Sequence, residues 1–147
     1  MKTKKSYGEQ NDLNLKTLVA LSRCYQSVRK RELKTIKEAG LTVAQFGVLE
    51  ILYHKGDLRI RQIIEGTLST GGNMTVVIEN LEKTGFVTRF ADPQDRRAAL
   101  IRITDKGTQL MENTFPAHVE NVSDIFNILS EQEKRHLVQL LKKLGAA

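Results

Sequence analysis

Tryptophan is absent from these 147 residues, which also hold only two prolines and one cysteine. A single cysteine cannot build an internal disulfide framework and fits a reducing compartment. No apolar run approaches the roughly 20 residues that a membrane helix requires. The charged N-terminus is not followed by the apolar segment of a secretory signal, so a cytoplasmic chain is expected. His54, His118 and His136 are scattered, with no Cys or carboxylate at ligand spacing, so neither a metal nor another cofactor is expected. Catalytic groups are equally thin. Ser22 and Cys24 have no histidine in a nucleophile motif, and Thr70-Gly71-Gly72-Asn73 lacks the lysine of a phosphate-binding loop. These gaps predict a chain that is not an enzyme.

What is present is a hydrophobic content of 40%, rich in Leu, Lys, Glu and Gln. That balance supports one mainly helical unit with a real core. The most informative stretch is residues 69–107. Met74, Val77, Ile78 and Leu81 recur at the spacing of one buried helix face, opposite Asn73, Thr75, Val76, Glu79 and Asn80. Gly85 follows, where a helix closes with a left-handed cap. Two β-rich runs, 86–91 and 98–104, flank the turn-forming Asp92-Pro93-Gln94-Asp95-Arg96-Arg97. A helix with a small polar face beside an arginine-tipped hairpin suits DNA: the helix fits the major groove, and the arginines reach phosphates or the minor groove. The fold class is therefore mainly α with a small β-hairpin wing, a winged helix-turn-helix.

In chain order, residues 1–11 read as a frayed polar arm. Asp12 can then cap a long helix to about Ala39, closed by Gly40. Thr42 and Gln45 form a capping box, with Leu41 and Phe46 as its hydrophobic staple, opening a helix that buries Phe46, Leu49, Leu52 and Tyr53. Leu58 to Gly66 is a short helix with Ile60, Ile63 and Ile64 inward and Arg59, Arg61 and Gln62 outward. Ser69 or Thr70 caps the next helix, and Gly71-Gly72 in its first turn would let backbone amides approach a phosphate. Thr104 caps a helix to about Ile128, with a kink or break at Pro116. Ser130 and Glu133 form another capping box, and the last helix presents Leu137, Leu140, Leu141 and Leu144. Both ends carry more apolar surface than a wing domain covers, which points to a helical homodimer interface.

The net charge of +6 suits nucleic acid, yet its placement is uneven. Residues 1–40 hold ten Lys/Arg against four Asp/Glu, whereas 56–107 hold eight against seven. DNA binding therefore rests on where individual arginines stand.

The runs Leu81-Glu82-Lys83-Thr84-Gly85, Asp95-Arg96-Arg97 and Ile103-Thr104-Asp105-Lys106-Gly107 together resemble the signature of the multiple-antibiotic-resistance regulator (MarR) family of bacterial transcription factors. The family's Asp-x-Arg-Arg turn lacks its intervening residue here. The resemblance extends from about residue 13 to 144. It implies one unit, 1–147, with helical dimerisation regions at 12–40 and 108–147 and a DNA-binding lobe at 41–107. It further implies a homodimer on a pseudo-palindromic operator, usually a repressor, released by a small aromatic or phenolic ligand or by an oxidant. The alternatives are a ligand-independent activator or architectural factor, or a winged helix used only for protein contacts.

The DNA-facing candidates are Arg59, Arg61, Ser69, Thr70, Gly72, Asn73, Thr75, Val76, Arg89, Asp95, Arg96 and Arg97. Asn73 and Thr75 are the base-edge candidates, since Asn pairs with adenine and a Thr methyl meets thymine. Family members usually carry Ser or Thr where Arg59 stands, and Arg59 could instead meet a phosphate. Effectors in the family bind where the first, second and fifth helices meet the DNA lobe, which implicates Tyr25, Arg29, Phe46 and Tyr53. Peroxide-sensing branches carry a reactive cysteine one to two turns earlier than Cys24. Cys24 is accordingly read as a buried structural residue, with a redox sensor beside Arg23 as the alternative. The stretch 52–57 is similar to a hydroquinone-responsive branch of the family.

Overall fold

A computed structural model describes residues 4–67 and 73–146. Its elements run α1 (Glu9–Glu38), α2 (Val43–Lys55), β1 (Leu58–Arg59), α3 (Ile60–Gly66), α4 (Met74–Lys83), β2 (Val87–Asp92), β3 (Asp95–Ile103), α5 (Asp105–Phe126) and α6 (Glu131–Gly145). The three strands form one antiparallel sheet in the order β1-β3-β2.

Local chemistry sets most boundaries. At α2, Thr42 and Gln45 exchange side-chain and backbone hydrogen bonds at 3.0 and 3.1 Å, and Leu41 and Phe46 are both buried beneath this cap. Ser130 and Glu133 repeat the arrangement at α6. The first helix starts earlier than expected, so the predicted frayed arm is wrong for Glu9 to Asn11. Asp12 does not stand outside the helix as its cap. From the first turn it accepts from the Ser6 hydroxyl and the Tyr7 amide, holding the entering chain. Leu58 and Arg59 are not helical: they pair with Ile101 and Leu100 as an edge strand.

Packing centres on α2, α4 and the sheet. Leu49, Leu52, Ile63, Ile78, Leu81, Ile101 and Met111 are fully enclosed, and Ile36 brings the end of α1 into the same core. Ile64, predicted inward, is 53% exposed, because the seven residues of α3 cover the core with Ile63. Tyr53 is half-buried at the core's edge. Pro116 does not break α5, which runs through it; its lost amide removes one intrahelical bond.

The join between wing and α5 explains the Thr-x-x-Gly spacing. Thr104 caps the helix through the Gly107 amide and donates to the Gly85 carbonyl at 2.6 Å. A Cβ on Gly107 would stand 2.3 Å from the Phe86 carbonyl oxygen, so no side chain fits. Gly85 itself has φ +79°, closing α4 as expected.

Much apolar surface remains uncovered. Leu13, Leu15, Leu18, Val19, Leu21 and Tyr25 on α1 are exposed, as are Val138, Leu140, Leu141 and Leu144 on α6. No residue of α6 is buried.

Candidate nucleic-acid interface and effector cavity

The candidate recognition face is built by α4. Met74, Ile78 and Leu81 are buried, while Asn73, Thr75, Val76, Glu79 and Asn80 are exposed, as the periodicity predicts. Its cap differs from the expectation. Asn73 is the N-cap, accepting from the Thr75 amide at 3.1 Å. Its Oδ1 is therefore engaged, while its Nδ2 group donates no bond within the described residues. Ser69 and Thr70, the predicted caps, and Gly71 and Gly72 lie outside the described residues.

The wing is formed by β2 and β3, with β2 packed against α4. Pairing is regular from Val87↔Ile103 to Ala91↔Ala99 and then shifts to Asp92↔Asp95. Three residues of β3, Arg96 to Ala98, therefore bulge out of register at the tip. Bulges re-aim side chains at sheet ends, and Arg96 and Arg97 are both exposed. The Asp92 and Asp95 carboxylates accept from the backbone amides of Gln94 and Arg97, fixing the turn from within.

The near-neutral charge of this lobe resolves into pairs. Arg59 binds Asp92, Arg61 binds Glu65 at 3.0 Å, Arg89 binds Glu82 at 2.9 Å, and Arg102 binds Asp57 at 2.6 Å. Arg96 and Arg97 have no acidic partner within 4.0 Å among the described residues. Two wing-tip cations thus remain available to a partner, although the lobe has almost no net charge. The pairs differ in strength. Arg61 and Glu65 are widely exposed and so weakly coupled. The Asp57 carboxyl is held below its ordinary range by hydrogen bonds from Arg102, and Asp92 by the Gln94 amide and then Arg59.

A second feature is a cleft of about 500 Å³ between α1, α2, α5 and the end of α3. It brings together Arg29 and Phe46 of the predicted effector set. Tyr25 and Tyr53 do not line it. Tyr25 is exposed, 6.0 Å from the Arg29 guanidinium, and Tyr53 packs edge-on against His54. Sequence reasoning missed Glu32, Glu50, His54 and Phe115, which converge from three helices and carry no shared motif. Arg29 is bound to Glu32 at 2.8 Å. His54 Nδ1 is 2.8 Å from the Glu50 carbonyl, which only accepts, so the proton sits on Nδ1. Burial pushes the Glu50 carboxyl up; His118 and His54 oppose this, and Glu32 adds to it. His118 is buried at the margin, 2.9 Å from the Thr35 hydroxyl, with its ring 4.7 Å from that of Phe46.

Cys24 is exposed on α1, not buried as expected, because no described residue packs over that stretch of helix.

Comparison with known proteins fits this geometry. A family model described as MarR family matches residues 41–99. Over 132 residues the chain is 38% identical to the HTH-type transcriptional regulator MhqR of Bacillus subtilis, covering 90% of this chain and 91% of that relative. Among solved structures, it resembles BpsR of Bordetella bronchiseptica, whose DNA binding is regulated by 6-hydroxynicotinic acid. That match has a TM-score of 0.76 and 30% identity, covering 87% of this chain and 91% of the other. The fold also matches Sco3205 of Streptomyces coelicolor, solved in complex with DNA, with a TM-score of 0.82 and 20% identity over 97% and 91% of the two chains.

Proposed function

The chain belongs to the MarR family of helix-turn-helix transcriptional regulators, DNA-binding proteins rather than enzymes, and from that premise we propose a homodimeric repressor released from a pseudo-palindromic operator by a small aromatic ligand. The observation that carries the DNA-binding part is the pairing pattern of the lobe. Among the described residues four arginines of the lobe are matched to carboxylates, and Arg96 and Arg97 stand unmatched at a bulged tip. Thr75 and Asn73 read base edges, and Arg96 and Arg97 hold the duplex. Supporting roles in DNA contact are assigned to Arg61, Val76, Arg89 and Asp95, and, from their sequence positions, to Ser69, Thr70 and Gly72.

The apolar faces of α1 and α6 support the dimer. Exposed leucines on both elements form a surplus that a second copy would cover. A two-fold dimer places its recognition helices about 34–36 Å apart, one turn of B-DNA, which is why the operator should be pseudo-palindromic. Residues 12–40 and 108–147 form this dimerisation region and 41–107 the DNA lobe.

The cleft supports the effector. Its volume falls in the range of small-molecule sites, and Phe46 and Phe115 give it aromatic walls beside Arg29, Glu50 and His54. It sits where α1 and α5 meet α2, so an occupant would bias how the DNA lobe is held against the helical arms. A ligand with an aromatic ring and a hydroxyl, like the one that regulates BpsR, suits these walls. The exposed Cys24 keeps oxidant release as a second route.

The test is a shift titration on DNA from upstream of the chain's own gene, with sedimentation of the complex. One dimer per site is expected, displaced by hydroxyaromatic compounds. A monomeric complex, or equal affinity for random DNA, would overturn the reading.

A further inference from the structure

Arg59 stands at an unusual junction. Its backbone pairs with Leu100 in β3, and its amide donates to Gln62 Oε1 at 2.9 Å as α3 begins. The guanidinium has no acceptor to return that bond and turns instead to the wing. Nε and Nη2 both reach Asp92 Oδ2, at 2.8 and 2.5 Å. The other oxygen, Oδ1, accepts from the Gln94 amide at 2.9 Å and so closes the wing turn. Asp92 is 6% exposed, and it is the last β2 residue before the bulge that carries Arg96 and Arg97. A groove of about 660 Å³ is lined by α3, the wing tip and Leu100, with both members of this ion pair in its wall.

We propose that Arg59 is a positioning residue rather than a phosphate contact: its two-point bond to Asp92 ties the wing turn to the first helix of the helix-turn-helix and fixes where Arg96 and Arg97 meet the duplex. This rests on the DNA-binding reading above. The chemistry favours it on two counts. A guanidinium fork on one carboxylate oxygen restricts direction as well as distance. The same carboxylate oxygen pair defines both the turn and the tether, so releasing Arg59 loosens the segment that displays the wing arginines.

The two roles predict opposite behaviour from Asp92→Asn. If Arg59 positions the wing, Asp92→Asn weakens DNA binding as Arg59→Gln does, on the order of tenfold, because wing contacts are no longer held in place. If Arg59 contacts phosphate, Asp92→Asn frees a cation and removes a nearby negative charge, so binding strengthens. Arg59→Lys separates them again. Lysine keeps the charge and loses the fork, so positioning predicts a loss close to that of Arg59→Gln, and a phosphate contact predicts nearly full affinity.

The decisive experiment measures affinity of the full-length chain for its upstream DNA with these three variants. It also includes Arg59→Gln placed in an Arg96→Ala/Arg97→Ala background. Positioning predicts that Arg59→Gln costs less than about twofold once the wing arginines are gone, since interacting residues are non-additive. A full, additive loss there, or tighter binding by Asp92→Asn, overturns the proposal. Failure of the underlying reading looks different: Arg96→Ala/Arg97→Ala alone would then bind like the wild-type chain.

Discussion

Replacing Asn73 by alanine removes two things that can be measured apart. The Asn73 side-chain oxygen Oδ1 caps α4 by accepting from the Thr75 amide at 3.1 Å. Losing an N-cap acceptor costs about 1 kcal/mol, within a range of about 0.5–2. For a chain of this length that is a fall of about 2–4 °C in melting temperature. The Nδ2 group is the part left for DNA, and a base contact of this kind is worth about 1–3 kcal/mol of discrimination. A carbonyl oxygen has two lone pairs, so Oδ1 can keep its cap while also accepting from an adenine amino group. Asn73→Ala should therefore lower stability by the cap term and reduce the operator-to-random affinity ratio by about 5- to 150-fold. Asn73→Ser supplies a cap oxygen without the amide. It should restore the melting temperature and leave discrimination lost. Thermal unfolding and fluorescence anisotropy on both DNAs read the two effects. An Asn73→Ala chain that melts like wild type would refute the cap, and Asn73→Ser recovering discrimination would refute the base contact.

Glu50→Gln tests the cleft. Because burial raises the folded carboxyl above its ordinary 4.5, its contribution to stability is fully present below the unfolded value and is lost as pH rises through the folded one. The variant should be more stable than wild type at pH 7, with the gain vanishing toward pH 4; melts showing no pH-dependent difference would contradict this. Removing residues 130–147 deletes α6 and should yield monomers or insoluble protein, so a soluble, unchanged dimer in sedimentation would count against the dimer assignment. Cys24→Ser should melt within about 2 °C of wild type, since exposed substitutions usually stay within about 0.5 kcal/mol. A fall of several degrees would show that a partner buries Cys24.

Features set by neighbouring residues were legible in the sequence. The capping boxes at Thr42/Gln45 and Ser130/Glu133, the buried stripe through Met74, Ile78 and Leu81, and the Thr104 cap all involve partners within one helix turn or face. What escaped was set by distant residues. Leu58-Arg59 is a strand only because β3 lies beside it, and two residues carry no period. Arg59 and Asp92 meet across 33 positions, so no local spacing in the sequence points to this internal ion pair. The cleft draws Arg29, Glu50 and Phe115 from three separate helices. Cys24 and Ile64 are exposed because no described residue packs over them, which helix periodicity alone does not reveal.

The central claim is that the two unmatched arginines at the wing tip hold DNA while α4 reads it. Affinity against salt concentration, for Arg96→Ala and Arg97→Ala on upstream and random DNA, tests it most directly. Each variant should weaken both DNAs to a similar degree and flatten the logarithmic salt dependence by roughly one unit per lost phosphate contact. If both variants bind like the wild-type chain at every salt concentration, the wing does not touch DNA and the claim is wrong.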